Sequence, residues 1–167
     1  MNGRDSNEAA KPKVLGLFQF LRKFPNEATV VTYLETKRWK GSVICPSCDS
    51  DQTVRVQNSK PMPWRCRSCL RYFSVRTETV MEESKLPLLK WLTAAYLMTC
   101  SLKGISSIQL AKKIGVTQKT AWFLEHRIRA AFAAGDKLLG PEVDQVRISW
   151  YLSLVQPEAY GQLREGI

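Results

Sequence analysis

The sequence predicts an α+β fold that is mostly helical, with a small β unit between two helical regions. Apolar residues follow a helical spacing before residue 41 and again after residue 87. From Gly41 to Val80 that spacing is lost, and short β-prone runs replace it. The same segment contains two Cys-x-x-Cys pairs, which are typical of a small metal-stabilised unit.

The composition and charge of the chain argue against several classes of protein. The chain has 167 residues and a net charge of +10, with 44% hydrophobic and 24% charged residues, as in a folded protein. Its longest apolar stretch, residues 91–100, is about half of what spans a bilayer. The first residues contain no signal-peptide core. These observations argue against a membrane protein, a secreted disulfide scaffold and an acidic binder, and favour a cytoplasmic protein with a polyanionic partner.

The charge distribution divides the chain into four segments. Residues 1–41, 42–80 and 81–140 carry net charges of +4, +3 and +5, whereas residues 141–167 carry −2. These four segments are the predicted domains: a helical lead-in, a small β unit that contains the cysteine pairs, a helical domain and a tail of different charge. The basic character ends near Pro141, where the chain changes type.

Two short helices are predicted in the first segment. Residues 14–24 carry apolar side chains at a helical spacing, and a second helix over roughly 26–36 follows Pro25, with Asn26 as its N-cap. The apolar residues that predict the first helix are Leu17, Phe18 and Leu21.

The strongest single signal is a four-cysteine pattern. Seventeen residues separate the two Cys-x-x-Cys pairs, a spacing that is typical of a structural zinc site. The predicted ligands are Cys45, Cys48, Cys66 and Cys69. The β-prone runs 53–56, 64–66 and 72–75 fit a ribbon with one cysteine pair in each hairpin. Two disulfides or four unrelated thiols are the alternatives, and four sulfur ligands would leave no open position for a catalytic zinc.

The metal has an electrostatic and an energetic consequence. Four thiolates and Zn²⁺ carry a charge of −2, which Arg65, Arg67 and Arg71 would offset. A β unit of this size has few core residues, and zinc would supply on the order of 10–16 kcal/mol of folding free energy. Cys100 lies in an apolar helix and is predicted to be a small core residue.

Three helices are predicted in the third segment, with a helix-turn-helix at its end. The first begins at Pro87 and runs to about residue 101. Ser106 or Ser107 caps a short helix that ends before Gly115, and Thr117 caps a longer one that reaches about residue 134.

The last helix has two distinct faces. One face is predicted to pack on Ile108, Ala111 and the helix of Trp91, and it consists of Ala121, Leu124, Ile128, Ala131 and Phe132. The opposite face contains Gln118, Lys119, Trp122, His126 and Arg129.

In a DNA complex, the first residues of such a helix meet base edges in the major groove. Gln118 would read adenine, and Lys119 would read guanine or hold a phosphate. Arg127 and Arg129 would contact phosphates. Trp122 would stack on a sugar or pack against another domain. The alternative is an ordinary three-helix bundle with a solvated basic face.

Several short motifs follow one another over roughly residues 16–144. They are Phe24-Pro-Asn-Glu27, Arg38-Trp39, Cys45-Pro-Ser-Cys48, Cys66-Arg-Ser-Cys69, Ser84-Lys-Leu-Pro-Leu88, Lys119-Thr-Ala-Trp122 and His126-Arg-Ile-Arg129. Their order resembles the N-terminal region of zinc-ribbon insertion-sequence transposases. The resemblance implies that the ribbon and helices bind double-stranded DNA at element ends. It also implies an RNase-H-like domain downstream, with a divalent-metal carboxylate triad in an intact member.

Asp144 corresponds to the first acid of that triad, and the resemblance ends immediately after it. The family continues with an acidic residue, a Thr-Tyr pair and a Gly-Gly turn, whereas this chain reads Gln145-Val-Arg-Ile-Ser-Trp-Tyr-Leu152. We therefore expect a truncated, frameshifted transposase with a non-native or disordered tail and no catalytic competence of its own. Its other expected partners are a second copy or the full-length transposase. The alternatives are a stand-alone zinc-dependent DNA-binding regulator, the short form of a programmed frameshift, and a zinc-ribbon module for protein–protein contacts in the transcription machinery.

Overall fold

The computed structural model describes residues 16–101 and 104–133, and within them it contains five α-helices and one three-stranded antiparallel sheet. The predicted α+β class, mostly helical, is confirmed. Residues 1–15 and the segment 134–167, with Asp144, lie outside the described residues. In chain order the elements are α1 (Leu17–Lys23), α2 (Glu27–Arg38), β1 (Thr53–Arg55), β2 (Trp64–Cys66), β3 (Tyr72–Phe73), α3 (Leu88–Cys100), α4 (Ser107–Ile114) and α5 (Gln118–Ala133).

Helix α1 packs by its aromatic residues. The buried residue of the helix is Phe20, whose ring stacks on Tyr96 of α3 with 4.3 Å between centroids. Phe24 follows one turn later, with its ring 5.2 Å from that of Phe20. The apolar residues that predicted the helix, Leu17, Phe18 and Leu21, are exposed instead, and Phe18 is 84% exposed. Because the Phe20–Phe24 pair packs on the core, this other face of α1 is turned to solvent.

Helix α2 begins as predicted. The side chain of Asn26 accepts a 3.0 Å hydrogen bond from the backbone N–H of Thr29, so Asn26 is the N-cap. Val30 and Leu34, one turn apart, are fully buried. The helix therefore presents one narrow apolar stripe to the core.

The sheet has the order β1-β2-β3, and Thr53 pairs with Cys66 while Trp64 pairs with Phe73. The second cysteine pair lies at the turn between β2 and β3, as expected for a hairpin. The first pair lies in turns ahead of β1, and the described residues contain no strand before it. The expectation of one cysteine pair per hairpin is thus correct for the second pair only.

Side-chain hydrogen bonds and ring contacts join the ribbon to α2 and its C-cap. The indole Nε1 of Trp64 donates a 2.9 Å hydrogen bond to Oε1 of Glu35, and Nη1 of Arg38 donates one of 2.9 Å to the carbonyl of Val75. The rings of Trp39 and Phe73 lie 5.9 Å apart in an edge-to-face arrangement. The ribbon and the helices share one continuous cluster of buried residues.

Helix α3 is the centre of the helical bundle. It contacts α2, α4 and α5, and its buried residues are distributed around its circumference. A helix that is apolar on most sides needs such burial. The three-helix arrangement of α3, α4 and α5 was predicted. No helix in the described part of the chain combines the length and the hydrophobicity required to span a membrane.

The turn between α4 and α5 has the predicted chemistry. Ser106 Oγ accepts from the backbone N–H of Gln109 at the start of α4, and Gly115 ends that helix in the left-handed region, with φ 64° and ψ 57°. Thr117 Oγ1 then accepts from the N–H of Thr120 at 3.2 Å. All five predicted apolar residues of α5 are buried.

One packing partner of α5 was predicted wrongly. Ile108 is 55% exposed, whereas Ala111 is buried together with Leu110 and Ile114. Leu110 and Ile114 are one turn apart and adjoin Ala111, so these three residues form the buried stripe of α4. Ile108 lies outside that stripe.

Candidate metal centre and nucleic-acid interface

The four predicted cysteines converge. Their Sγ atoms all lie within 4.8 Å of one another. Two Sγ–Sγ distances are 3.7 Å, between Cys45 and Cys69, and 3.6 Å, between Cys48 and Cys66. A tetrahedral ion with Zn–S bonds of about 2.3 Å requires sulfurs about 3.8 Å apart. The sulfur arrangement therefore fits a four-coordinate zinc ion.

The two cysteine turns have the same backbone feature. The residue after each pair, Asp49 and Leu70, has a positive φ, of 54° and 61°. The turns are joined by a 2.8 Å hydrogen bond between the hydroxyls of Ser50 and Ser68. Sequence inspection missed this feature because neither left-handed position carries a glycine.

Backbone donors favour thiolate at one ligand. The N–H groups of Cys69 and Ser68 donate to the sulfur of Cys66 and lower its pKa to about 6. At Cys48 the N–H of Ser50 also favours thiolate, but removal from water and the adjacent sulfurs outweigh it and raise the pKa to about 12. Crowded thiols thus resist losing their protons together without a cation, and a bound Zn²⁺ supplies the missing positive charge.

The arginines beside the second pair differ in environment. Arg65 is half-buried, with its guanidinium 5.4 Å from the ring centroid of Tyr72. Its Nε is buried and has no hydrogen-bond partner in the described part of the chain. Arg67 and Arg71 are exposed. All three flank the ligands in sequence, which is consistent with the predicted compensation of thiolate charge.

Helix α5 presents a polar and aromatic face. Gln118 and Lys119, in its first turn, are exposed. Trp122 is 40% exposed, and its ring centroid lies 4.1 Å from that of His126. Burial lowers the pKa of His126 and nearby Arg129 lowers it further, so the imidazole is neutral at pH 7. The face thus combines hydrogen-bonding groups and the cations Lys119 and Arg129 around a large aromatic ring.

Phe123 was not identified from the sequence as a surface residue. It is 50% exposed and meets Trp122 edge-to-face, with 5.1 Å between the ring centroids. At about 100° per residue, Phe123 lies close to Lys119 around the helix. Helical projection could have revealed it, since it falls outside the apolar stripe.

Arg127 and Arg129, the two predicted phosphate contacts, differ in their partners within the protein. Arg129 forms an ion pair with Glu125, which is only 3% exposed. Burial raises the pKa of Glu125, against the opposing effect of Arg129. Arg127 lies at the surface, where its guanidinium stacks 5.5 Å from the Trp91 ring centroid and Nη2 donates to the carbonyl of Glu82 at 3.0 Å. Both arginines thus have intramolecular partners, but that of Arg129 is a carboxylate, whereas Arg127 contacts a neutral carbonyl and an aromatic ring.

A lysine outside the predicted set supports the turn between α4 and α5. Lys90 of α3 donates a 2.8 Å hydrogen bond from Nζ to the carbonyl of Gly115. A cation at the carboxyl end of α4 also interacts favourably with the helix dipole. A side chain of the central helix α3 thus holds the turn between α4 and α5 in place.

Comparison with known proteins places the ribbon in a family. Residues 25–71 match the family model of the transposase zinc-ribbon domain. Over 128 residues the chain is 33% identical to an uncharacterised protein in the transposable element ISH50 of Halobacterium salinarum. That match covers 75% of this chain and 43% of the relative, so the chain spans less than half of the relative's length. No solved structure shows a significant match.

Proposed function

Because residues 25–71 are a zinc ribbon of the transposase family, in a chain related to insertion-sequence proteins, we propose that the chain is the DNA-binding region of such a transposase. The observation that carries the proposal is the convergence of four cysteine sulfurs within 4.8 Å, inside or at the edge of the matched segment. The ligand chemistry belongs to a structural metal, since all four positions around the ion are taken by protein. Its role is to hold the ribbon, and no strand cleavage is assigned to it.

Zinc, in this proposal, maintains a surface that includes the helices. Cys66 ends β2, and Trp64 of the same strand is bonded to Glu35 of α2. Losing the metal would release the ribbon from α2 and expose the ring cluster around Trp39. Zinc would thus stabilise the DNA-binding unit without contacting DNA.

The helix-turn-helix supplies the predicted base contacts. Exposed Gln118 and Lys119 at the amino end of α5 have the chemistry to read adenine and guanine, respectively. Trp122, beside them, would lie against the sugar or a thymine methyl group. Arg127 would hold a phosphate. Arg129 is assigned a weaker contact than the sequence predicted, because Glu125 already pairs with it.

No catalytic role is assigned to the zinc ribbon or to the helices. Asp144 remains the proposed counterpart of the first metal-binding acid, and it lies outside the described residues. The residues that follow it depart from the transposase pattern, which supports a change of reading frame at that point. The DNA downstream of the Asp144 codon, translated in all three frames, tests this. The proposal requires one other frame to encode the missing acidic, Thr-Tyr and Gly-Gly stretch.

A binding titration tests the main proposal. The zinc-loaded chain is titrated into labelled duplexes of about 30 base pairs, roughly three helical turns, taken from the element ends or scrambled. We expect tighter binding to the end sequences and a log–log salt slope of about −0.9 per phosphate neutralised. Chelation should abolish the preference. A zinc-loaded, folded chain that binds neither duplex in a salt-dependent manner would overturn the proposal.

A further inference from the structure

An open cleft of about 410 Å³ lies along one flank of α5. Its walls come from the connection between the ribbon and α3, from α3 itself and from α5. The lining residues are Ser84, Lys85, Leu86, Trp91, Thr120, Phe123, Leu124 and Arg127. Two of them are cationic and none is acidic. The cleft therefore has an apolar floor and a positive rim.

We propose that this cleft holds the sugar–phosphate backbone of one DNA strand, with Lys85 as a further phosphate contact beside Arg127. The inference rests on the proposed function, because it extends the DNA interface from the exposed face of α5 to the segment before α3. The ligand class is a phosphodiester in duplex DNA. Phe123, half exposed at the wall, would pack on a deoxyribose.

The position of the cleft along α5 agrees with the dimensions of DNA. Eight residues separate Lys119 from Arg127, a rise of about 12 Å along the helix. The major groove is about 8.5 Å deep, so a residue that far along a helix inserted by its amino end lies near the edge of the groove. When the amino end of α5 meets base edges, the flank near Arg127 therefore lies where the groove is bordered by a phosphate strand.

Arg127 and Lys85 differ in how far their side chains are held in place before DNA binds. Arg127 is held over Trp91 and by the carbonyl of Glu82, so little side-chain freedom remains to be lost on binding. Lys85 is exposed, and in the described part of the chain its ammonium has no hydrogen bond or ion pair. Glu82 and Glu83 precede it, and a phosphate must compete with their negative charge. The stacked Arg127 favours the phosphate in that competition, because a guanidinium can donate to two phosphate oxygens.

The test measures the salt dependence of DNA binding in Lys85→Gln, Arg127→Gln and the double variant. The probe is the labelled duplex of about 30 base pairs. The matched control is Lys40→Gln, which removes the same charge from an exposed lysine outside the cleft. All variants are compared as the zinc-loaded full chain, and thermal unfolding verifies that each is folded. Since Lys85 has no hydrogen-bond or ion-pair partner among residues 16–101 and 104–133, its variant keeps the test valid even if Arg127→Gln fails to fold.

We expect Lys85→Gln to reduce the slope by about 0.9 and the affinity by roughly eightfold at about 0.1 M salt, the contribution of one phosphate. Arg127→Gln should do the same, and the double variant should reduce the slope by about 1.8, because each cation neutralises one phosphate of the strand. If Lys85→Gln behaves like Lys40→Gln while the wild type still binds, the cleft is no phosphate site and the proposed function stands. If the wild type shows no salt-dependent binding, both fail.

Discussion

Oε1 of Glu27, in the first turn of α2, accepts a 2.6 Å hydrogen bond from the backbone N–H of Leu88 at the start of α3. Oε2 of the same carboxylate accepts from the N–H of Leu89 at 2.9 Å. Pro87, the N-cap of α3, has no side-chain group to do this. A residue 61 positions earlier therefore caps the central helix, and its charge also suits the positive end of the helix dipole.

Glu27→Ala should destabilise the fold by about 1–2 kcal/mol, the range for loss of an N-cap side chain. Chemical denaturation of the zinc-loaded protein measures this. Glu78→Ala is the control, because it removes the same side chain from an exposed position. Equal unfolding free energies for the two variants would contradict the capping role.

Zinc binding should depend on the four clustered cysteines and not on Cys100. We expect Cys48→Ser to lose the metal, because one of the four sulfur ligands is removed, and to unfold at lower temperature, because the ribbon has little core of its own. Cys100→Ala should keep one zinc ion per chain, since Cys100 lies on α3, outside the cysteine cluster. Metal analysis after gel filtration decides. Retention of zinc by Cys48→Ser would rule out the four-sulfur site.

Two substitutions on α5 should separate base contacts from backbone contacts. Lys119→Ala should reduce the preference for element ends by about 1–3 kcal/mol, the value of a good base contact. Arg127→Ala should weaken binding to all duplexes alike. Competition between specific and scrambled duplexes measures both. Identical specificity ratios in the two variants would refute the assignment.

Glu125 should give the fold a particular pH dependence. Its pKa is raised in the folded state, so the protonated form favours folding. This contribution is fully present below the unfolded pKa of about 4.3 and is lost as pH rises through the folded value. As the pH rises through that window, the wild type should therefore lose unfolding free energy relative to Glu125→Gln. Comparing the two proteins cancels the pH dependence of zinc binding.

Arg129→Ala provides the complementary measurement. It leaves the carboxylate of Glu125 buried without its partner, and we expect a loss of about 3 kcal/mol at pH 7. Because protonation relieves that penalty, the loss should shrink in acid. A pH-independent loss would show that packing of the arginine stem dominates.

Local chemistry made part of this fold predictable. Asn26, Ser106 and Gly115 were identified as helix boundaries because capping and left-handed conformations depend on a few neighbouring residues. The cysteine ligands were identifiable for a similar reason, since each pair forms within one turn. The β-prone runs also matched their strands to within two residues.

The features that the sequence did not reveal depend on distant residues. The exposed face of α1 could not be foreseen, because Tyr96 of α3 selects which side of α1 is buried. The Glu27 cap joins residues 61 positions apart and leaves no periodic trace. The cleft beside Lys85 exists only because a connecting segment folds back against α5. Such contacts follow from tertiary packing.

The left-handed backbone at Gly115 restricts which residues the turn between α4 and α5 can accept. The φ of Gly115 is +64°, yet a Cβ built there would meet no atom within 4 Å. An L-residue is therefore opposed by backbone strain alone, and crowding plays no part. The mirror-image residue prefers this conformation, so D-alanine installed by chemical ligation should stabilise the fold by about 0.4–1 kcal/mol, through the unfolded chain. At this turn, chirality rather than size limits which side chain the motif accepts.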